Sequence, residues 1–360
     1  MGALWAIVCN FARKMIKTIN SWRGIAVIIT VILHSTSRLS NAGAMSVTFF
    51  FISSAFLLSM KYPFDCLTTR NYGHFFMSHA MRLFPLHWLA LALLIVITLL
   101  LTDESINWFS TALNALLLQC WFPQHDFRYG LNPVAWFLAV LIYCYLFYPL
   151  VAHWLYRSRL RTKALVLLVL MIVLAVILLP LDIPGRERVK DCPLSHLPDI
   201  VAGMTCFHLY HVLKDRCRNV GFYTATLIEL VAISLWVPIH LVYRNSTFLI
   251  PWDDDLIWIV PMSAILLVSA LLNGQEGAVG RVLASRPFQW LGNITFEVFM
   301  LQFVAFKLYN YALAPFVGHF GIDIHGKIVY YVWPLLFVLC WVVNRVFTRP
   351  VSRYVKQRFK

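Results

Sequence analysis

Ten long apolar runs, separated by short segments rich in lysine and arginine, constrain this chain more than any other feature. They lie at roughly 20–37, 44–60, 84–102, 133–156, 164–181, 196–213, 221–242, 256–273, 291–311 and 327–346. A helix rises ~1.5 Å per residue, so runs of this length reach across a hydrocarbon layer ~30 Å thick. The expected fold is an all-α integral membrane protein of about ten transmembrane helices. A shorter run at 108–122 reads as a half-buried or re-entrant helix. Composition agrees: 60% of residues are apolar and 13% charged, with a mean hydropathy of +0.73. That profile excludes a pair of soluble domains.

The net charge of +14 does not point to nucleic acid, because of where the charges lie. Most Lys and Arg residues fall in alternate segments between the apolar runs, and the tail from Arg345 to Lys360 is strongly basic. Acidic residues gather in the other segments, as at Asp103, Glu104, Asp253, Asp254 and Asp255. By the positive-inside rule, both termini are then cytoplasmic. The chain divides into an interfacial N-terminal segment 1–19, one membrane domain 20–346 and a basic tail 347–360. The first apolar stretch, Met1 to Phe11, is short and is followed rather than preceded by basic residues. It is expected to lie on the membrane and not to act as a cleavable signal peptide. The eight cysteines are scattered without a CxxC pair. Neither a disulfide framework nor a metal site is expected.

Polar residues inside these runs are the functional candidates, since burying them in lipid is costly. Arg23 and His34 are the clearest. Eleven helical steps return His34 to within ~20° of the Arg23 face, ~16 Å further along the axis. The competing reading is a snorkelling arginine and a helix-end histidine among headgroups. His87, Asp199, His208, Glu297 and Gln302 are further polar residues within spans.

Several stretches carry a family resemblance when taken in order. Arg23 and His34 make an R-x10-H pattern. Phe50, Phe51, Ile52, Ser53, Ser54, Ala55 and Phe56 make an FF-x-x-S-x-F run. Arg82, Leu83, Phe84 and Pro85 open the third span, with His79 where a first arginine is usual. Trp136, Leu138, Tyr145 and Pro149 follow, then Leu197, Pro198, Asp199, Gly203 and Met204, then Leu291, Gly292, Ile294 and Thr295. The chain resembles the acyltransferase 3 family along almost its whole length, about 20 to 350. Two departures stand out. Leu141 and Ile142 occupy positions where acidic residues are common, and Gln302 stands where a late histidine is common.

The resemblance implies an enzyme of the cell membrane that moves an acyl group, most often acetyl, from acyl-CoA to a hydroxyl of a cell-surface polysaccharide or a lipid-linked glycan. His34 is then the expected base, with Arg23 beside it. Asp199 or Glu297 is expected to orient it, as carboxylates do in other acyl-transfer sites. Arg23, Arg82 and Arg286, with Ser54 and Trp136, are expected to hold the donor, because guanidinium forks suit phosphates. No permanently bound cofactor is expected, and acyl-CoA enters as donor substrate. Expected partners are that donor, the glycan acceptor and the lipid bilayer, with no nucleic acid and a homodimer left open. Two other classes compete. A glycan or lipid transporter would also need polar residues at mid-membrane. A non-catalytic membrane partner of a glycan synthase would need neither Arg23 nor His34.

Overall fold

A computed structural model describes residues 16–36, 40–62, 64, 67–122, 124–156, 158–178, 192–245, 256–322 and 328–358. These residues are helical and contain no strand. In chain order the main helices are α1 Lys17–Thr36, α2 Ser40–Lys61, α3 Thr69–Leu101, α4 Trp108–Ala115, α5 Ala135–Tyr156, α6 Leu160–Leu178, α7 Leu197–Leu213 and α8 Phe222–Ser234. They continue as α9 Trp236–Asn245, α10 Ile259–Leu271, α11 Ala278–Leu283, α12 Arg286–Asn293, α13 Thr295–Leu308, α14 Ile328–Val343 and α15 Arg349–Arg358.

Among the described residues, five helices are long and apolar enough to cross a membrane: Gly43–Lys61, Thr69–Leu101, Ala135–Leu155, Phe222–Ile239 and Tyr330–Val355. A sixth span results if α12 and the helix Thr295–Gly318, bent by 66° at their junction, count as one. This is fewer than the ten runs expected from sequence. The shortfall has physical causes. Helix α1 opens with Lys17, Asn20, Ser21 and Arg23. Helix α7 has 17 residues and carries Asp199, His208 and His211. Helix α10 has only 13 residues, preceded by one 3-10 turn. The run expected at 164–181 ends in residues outside those described.

Close helix packing positions the candidate site. A Cβ at Gly203 of α7 would collide with the Ile52 carbonyl and the Ala55 side chain of α2. The two helices therefore meet nearly backbone to backbone, as small residues allow in membranes. Helix α1 meets α12 in the same way: a Cβ at Gly24 would press on Gly292, and one at Gly292 on Asn20. Polar clamps fix this contact and the neighbouring one with α11. Ser21 Oγ donates to the carbonyl of Leu283, at the end of α11, at 2.6 Å. Asn20 Nδ2 donates to Asn293 Oδ1 at 3.1 Å, and Gln289 Nε2 to Ser21 Oγ at 2.7 Å.

The run at 108–122 takes the half-buried form expected of it. Helix α4 packs back on α3, where Trp88 Nε1 donates to the Ala115 carbonyl at 2.9 Å. His87 Nε2 lies 2.8 Å from the Asn114 carbonyl. Asn107 caps α4, accepting from Ser110 N at 3.0 Å. The interior between α2, α3, α5, α7 and α13 is strongly aromatic. Phe50 meets Phe137 and Phe299 edge-on, and Phe51 packs on Phe137.

Candidate active site

Helix α1 presents its arginine and histidine to this aromatic interior at two depths. The Arg23 guanidinium carbon lies 5.7 Å from the centroid of the Phe50 ring, within cation–π range. Its Nε is buried and has no hydrogen-bond partner. Tyr145 of α5 is its near electrostatic neighbour, and Arg82 of α3 acts on the same tyrosine. Arg82 itself is exposed. His79, which stands where a first arginine is usual, packs its ring 4.8 Å from that of Tyr145. His79 thus packs against the tyrosine that is the electrostatic neighbour of Arg23 and Arg82.

His34 lies near the end of α1 with part of its ring exposed. Its Nδ1 is 2.8 Å from Gln302 Oε1 of α13, and its ring lies 5.5 Å from that of Phe303. The Gln302 amide is fixed in turn, because its Nε2 donates to the Phe299 carbonyl at 2.9 Å. That bond turns the amide oxygen toward the histidine. The network assigns the proton to Nδ1 and leaves the Nε2 lone pair free to accept a proton. A histidine held in one tautomer by a neighbour is the arrangement that acyl-transfer bases use.

The carboxylates expected to do this holding lie elsewhere. Asp199 Oδ2 is 3.0 Å from Nδ1 of His196, three residues earlier. Glu297 is buried and accepts a hydrogen bond from the Asn344 amide. Neither is paired with His34. Sequence reasoning noted Gln302 as a polar residue within a span and as a missing histidine, not as the partner of His34, and missed His196 altogether. A direct bond between residues 268 positions apart leaves no mark in local spacing.

The other candidates divide. Ser54 lines a narrow cavity of about 10 Å³ with Phe51, Cys144, Tyr145, Tyr148 and Ile200. Trp136 stacks on His196, with centroids 6.3 Å apart and planes 28° apart. Arg286 is exposed as the first residue of α12, the helix that packs on α1. Leu141 and Ile142 are buried apolar residues of α5. No group of three or more metal-ligating side chains occurs among the described residues.

A sequence model of the acyltransferase domain (acyltransferase 3) family matches residues 16–347. The chain belongs to this family. It is a membrane acyltransferase, and the R-x10-H pair of the resemblance is carried on α1. The match also takes in α13 with Gln302 and α7 with Asp199. No curated protein and no solved structure matches the chain.

Proposed function

We propose that this acyltransferase transfers an acetyl group from acetyl-CoA to a hydroxyl of a cell-surface polysaccharide or lipid-linked glycan at the cell membrane. In this reading the N- and C-termini are cytoplasmic and the ten apolar runs all lie in the bilayer. The single observation that carries the mechanism is the His34–Gln302 bond, which leaves one imidazole nitrogen available as base.

The donor enters from the cytoplasm. Its phosphates meet Arg82 at the mouth, with Arg286 on the neighbouring rim. Its thin arm passes Tyr145 and Arg23 toward His34, ~16 Å further along α1. Phosphate favours arginine because charge-assisted, bidentate bonds are the strong ones. The acceptor hydroxyl approaches His34 from the opposite side. His34 Nε2 takes the hydroxyl proton as the oxygen attacks the thioester carbonyl. The carbon–sulfur bond breaks and CoA leaves as thiolate. Gln302 keeps the ring in the productive tautomer throughout. The neutral amide does so without a buried charge, which the apolar surroundings would penalise.

The test is label transfer from radioactive acetyl-CoA to extracted surface glycan, using membranes with matched levels of wild type or His34→Ala. Loss of a general base lowers turnover by about 10²–10⁴-fold, so label appears with wild type and not with the variant. Equal labelling by both removes His34 from the chemistry. Glycan export that fails while acylation per exported chain stays constant supports transport instead.

A further inference from the structure

The transfer described above leaves the His196–Asp199 pair without a task. Both side chains are at most 1% exposed and their contact is 3.0 Å. The histidine ring lies between Phe51, at 4.4 Å, and Trp136. Burying such a pair at membrane depth seldom adds stability over apolar residues of the same volume. A polar pair kept there calls for a polar visitor. Asp199 Oδ2 faces His196, but Asp199 Oδ1 is buried and has no hydrogen-bond partner.

A narrow cavity between α2, α5 and α7 lies beside this pair. It is lined by Tyr145, by Phe51, which packs on His196, by Ile200, next in chain to Asp199, and by the small polar Ser54. The cavity holds about one water, so a ligand widens a seam that already exists.

We propose that this seam receives the pantetheine arm of the acyl donor and that Asp199 Oδ1 accepts a hydrogen bond from an amide N–H of that arm. The inference rests on the acyl-CoA reading above. The arm is a slender, mostly apolar chain that carries two secondary amides. An amide N–H drawn to this depth must find an acceptor, or its desolvation opposes binding. The unpartnered Asp199 Oδ1 supplies that acceptor. His196 holds the carboxylate by its other oxygen, so the free oxygen points one way. Asp199 is thereby a donor-binding residue, distinct from the orienting role first expected of it.

Equilibrium binding to the purified full chain in detergent tests this with three probes: CoA, pantetheine, and adenosine 3′,5′-bisphosphate, which lacks the arm. Asp199→Ala should weaken CoA and pantetheine by about tenfold, the worth of one buried hydrogen bond. It should leave the bisphosphate unchanged. Asp199→Asn keeps an acceptor oxygen and should bind all three within about threefold of wild type. Equal losses for arm and bisphosphate would mean that Asp199 only supports the fold, and would overturn the assignment. So would an Asp199→Ala variant that binds pantetheine as wild type does. A wild-type protein that binds none of the probes would instead remove the acyl-CoA reading itself.

Discussion

At the scale of the residue, the group paired with His34 is a neutral amide. Carboxylates were expected beside His34 because an ionised partner is the familiar way to fix a catalytic imidazole. The chain uses the Gln302 amide, itself locked to the Phe299 carbonyl. Replacing it by leucine removes the acceptor for Nδ1–H and frees the ring to turn. Gln302→Leu should lower kcat for acyl transfer by about 10²-fold, the usual effect of misplacing a reacting group. The KM for acetyl-CoA should hardly change, because the proposed route holds the donor at residues other than Gln302. A variant whose kcat equals wild type would show that the tautomer needs no holding. Arg23 and His34 were legible because eleven residues on a helix bring two side chains to one face. Gln302 and His196 were not, because their partnerships are decided by packing between helices rather than by local spacing.

At the scale of the element, legibility follows how self-contained a helix is. The long apolar helices Thr69–Leu101 and Ala135–Leu155 can be read from their own residues. The segment near 291 cannot. It reads as one run, yet it divides at Ile294 into α12 and α13, bent by 66°. Gly292 and Asn293 are common helix-ending residues, and Gly292 is drawn against Asn20 of α1. The tertiary contact thus decides where the helix stops. In the last turn of α13, Lys307 Nζ meets Glu104 Oε2 at 2.5 Å and Thr98 Oγ1 at 3.0 Å. Tyr311 donates to the other carboxylate oxygen at 3.0 Å. This clasp ties α13, which carries Gln302, to α3. The Lys307 hydrogen bond is the main cause holding the Glu104 carboxyl below its ordinary value of 4.5. A carboxylate lowered in the folded state adds stability above that ordinary value and loses it as the pH falls through the folded value. Glu104→Gln should therefore melt below wild type at pH 7 by a small margin, since the bridge is half-exposed. The two melting curves should converge well below pH 4.5. A gap that persists in acid would mean that shape, not charge, closes the clasp.

At the scale of the whole molecule, the charge pattern and the site geometry make the same demand. The sequence alone separates basic from acidic segments, and the orientation we propose follows from that pattern without reference to any structure. The proposed donor route orders Arg82, Arg23 and His34 from an exposed arginine to an exposed histidine. If donor phosphates enter on the arginine side, that side must be the cytoplasm, where acyl-CoA is made. The segment around Arg159 must then be cytoplasmic and the segment around Glu104 must face out. A short epitope inserted after Arg159 should stay hidden from antibody in intact cells and appear only once they are permeabilised. One inserted after Ser105 should be reached without permeabilisation. The reverse result would put the arginines on the side that holds no acyl-CoA, and the donor route with them would fall. The number of helices that follow the bilayer normal does not alter this test, because it reads only the two segments that the charge pattern separates. It would hold equally for six spans or ten, provided that an odd number lies between Ser105 and Arg159. In the fold that number is one: α4 only packs back on α3, and α5 alone among the intervening helices has the length to cross.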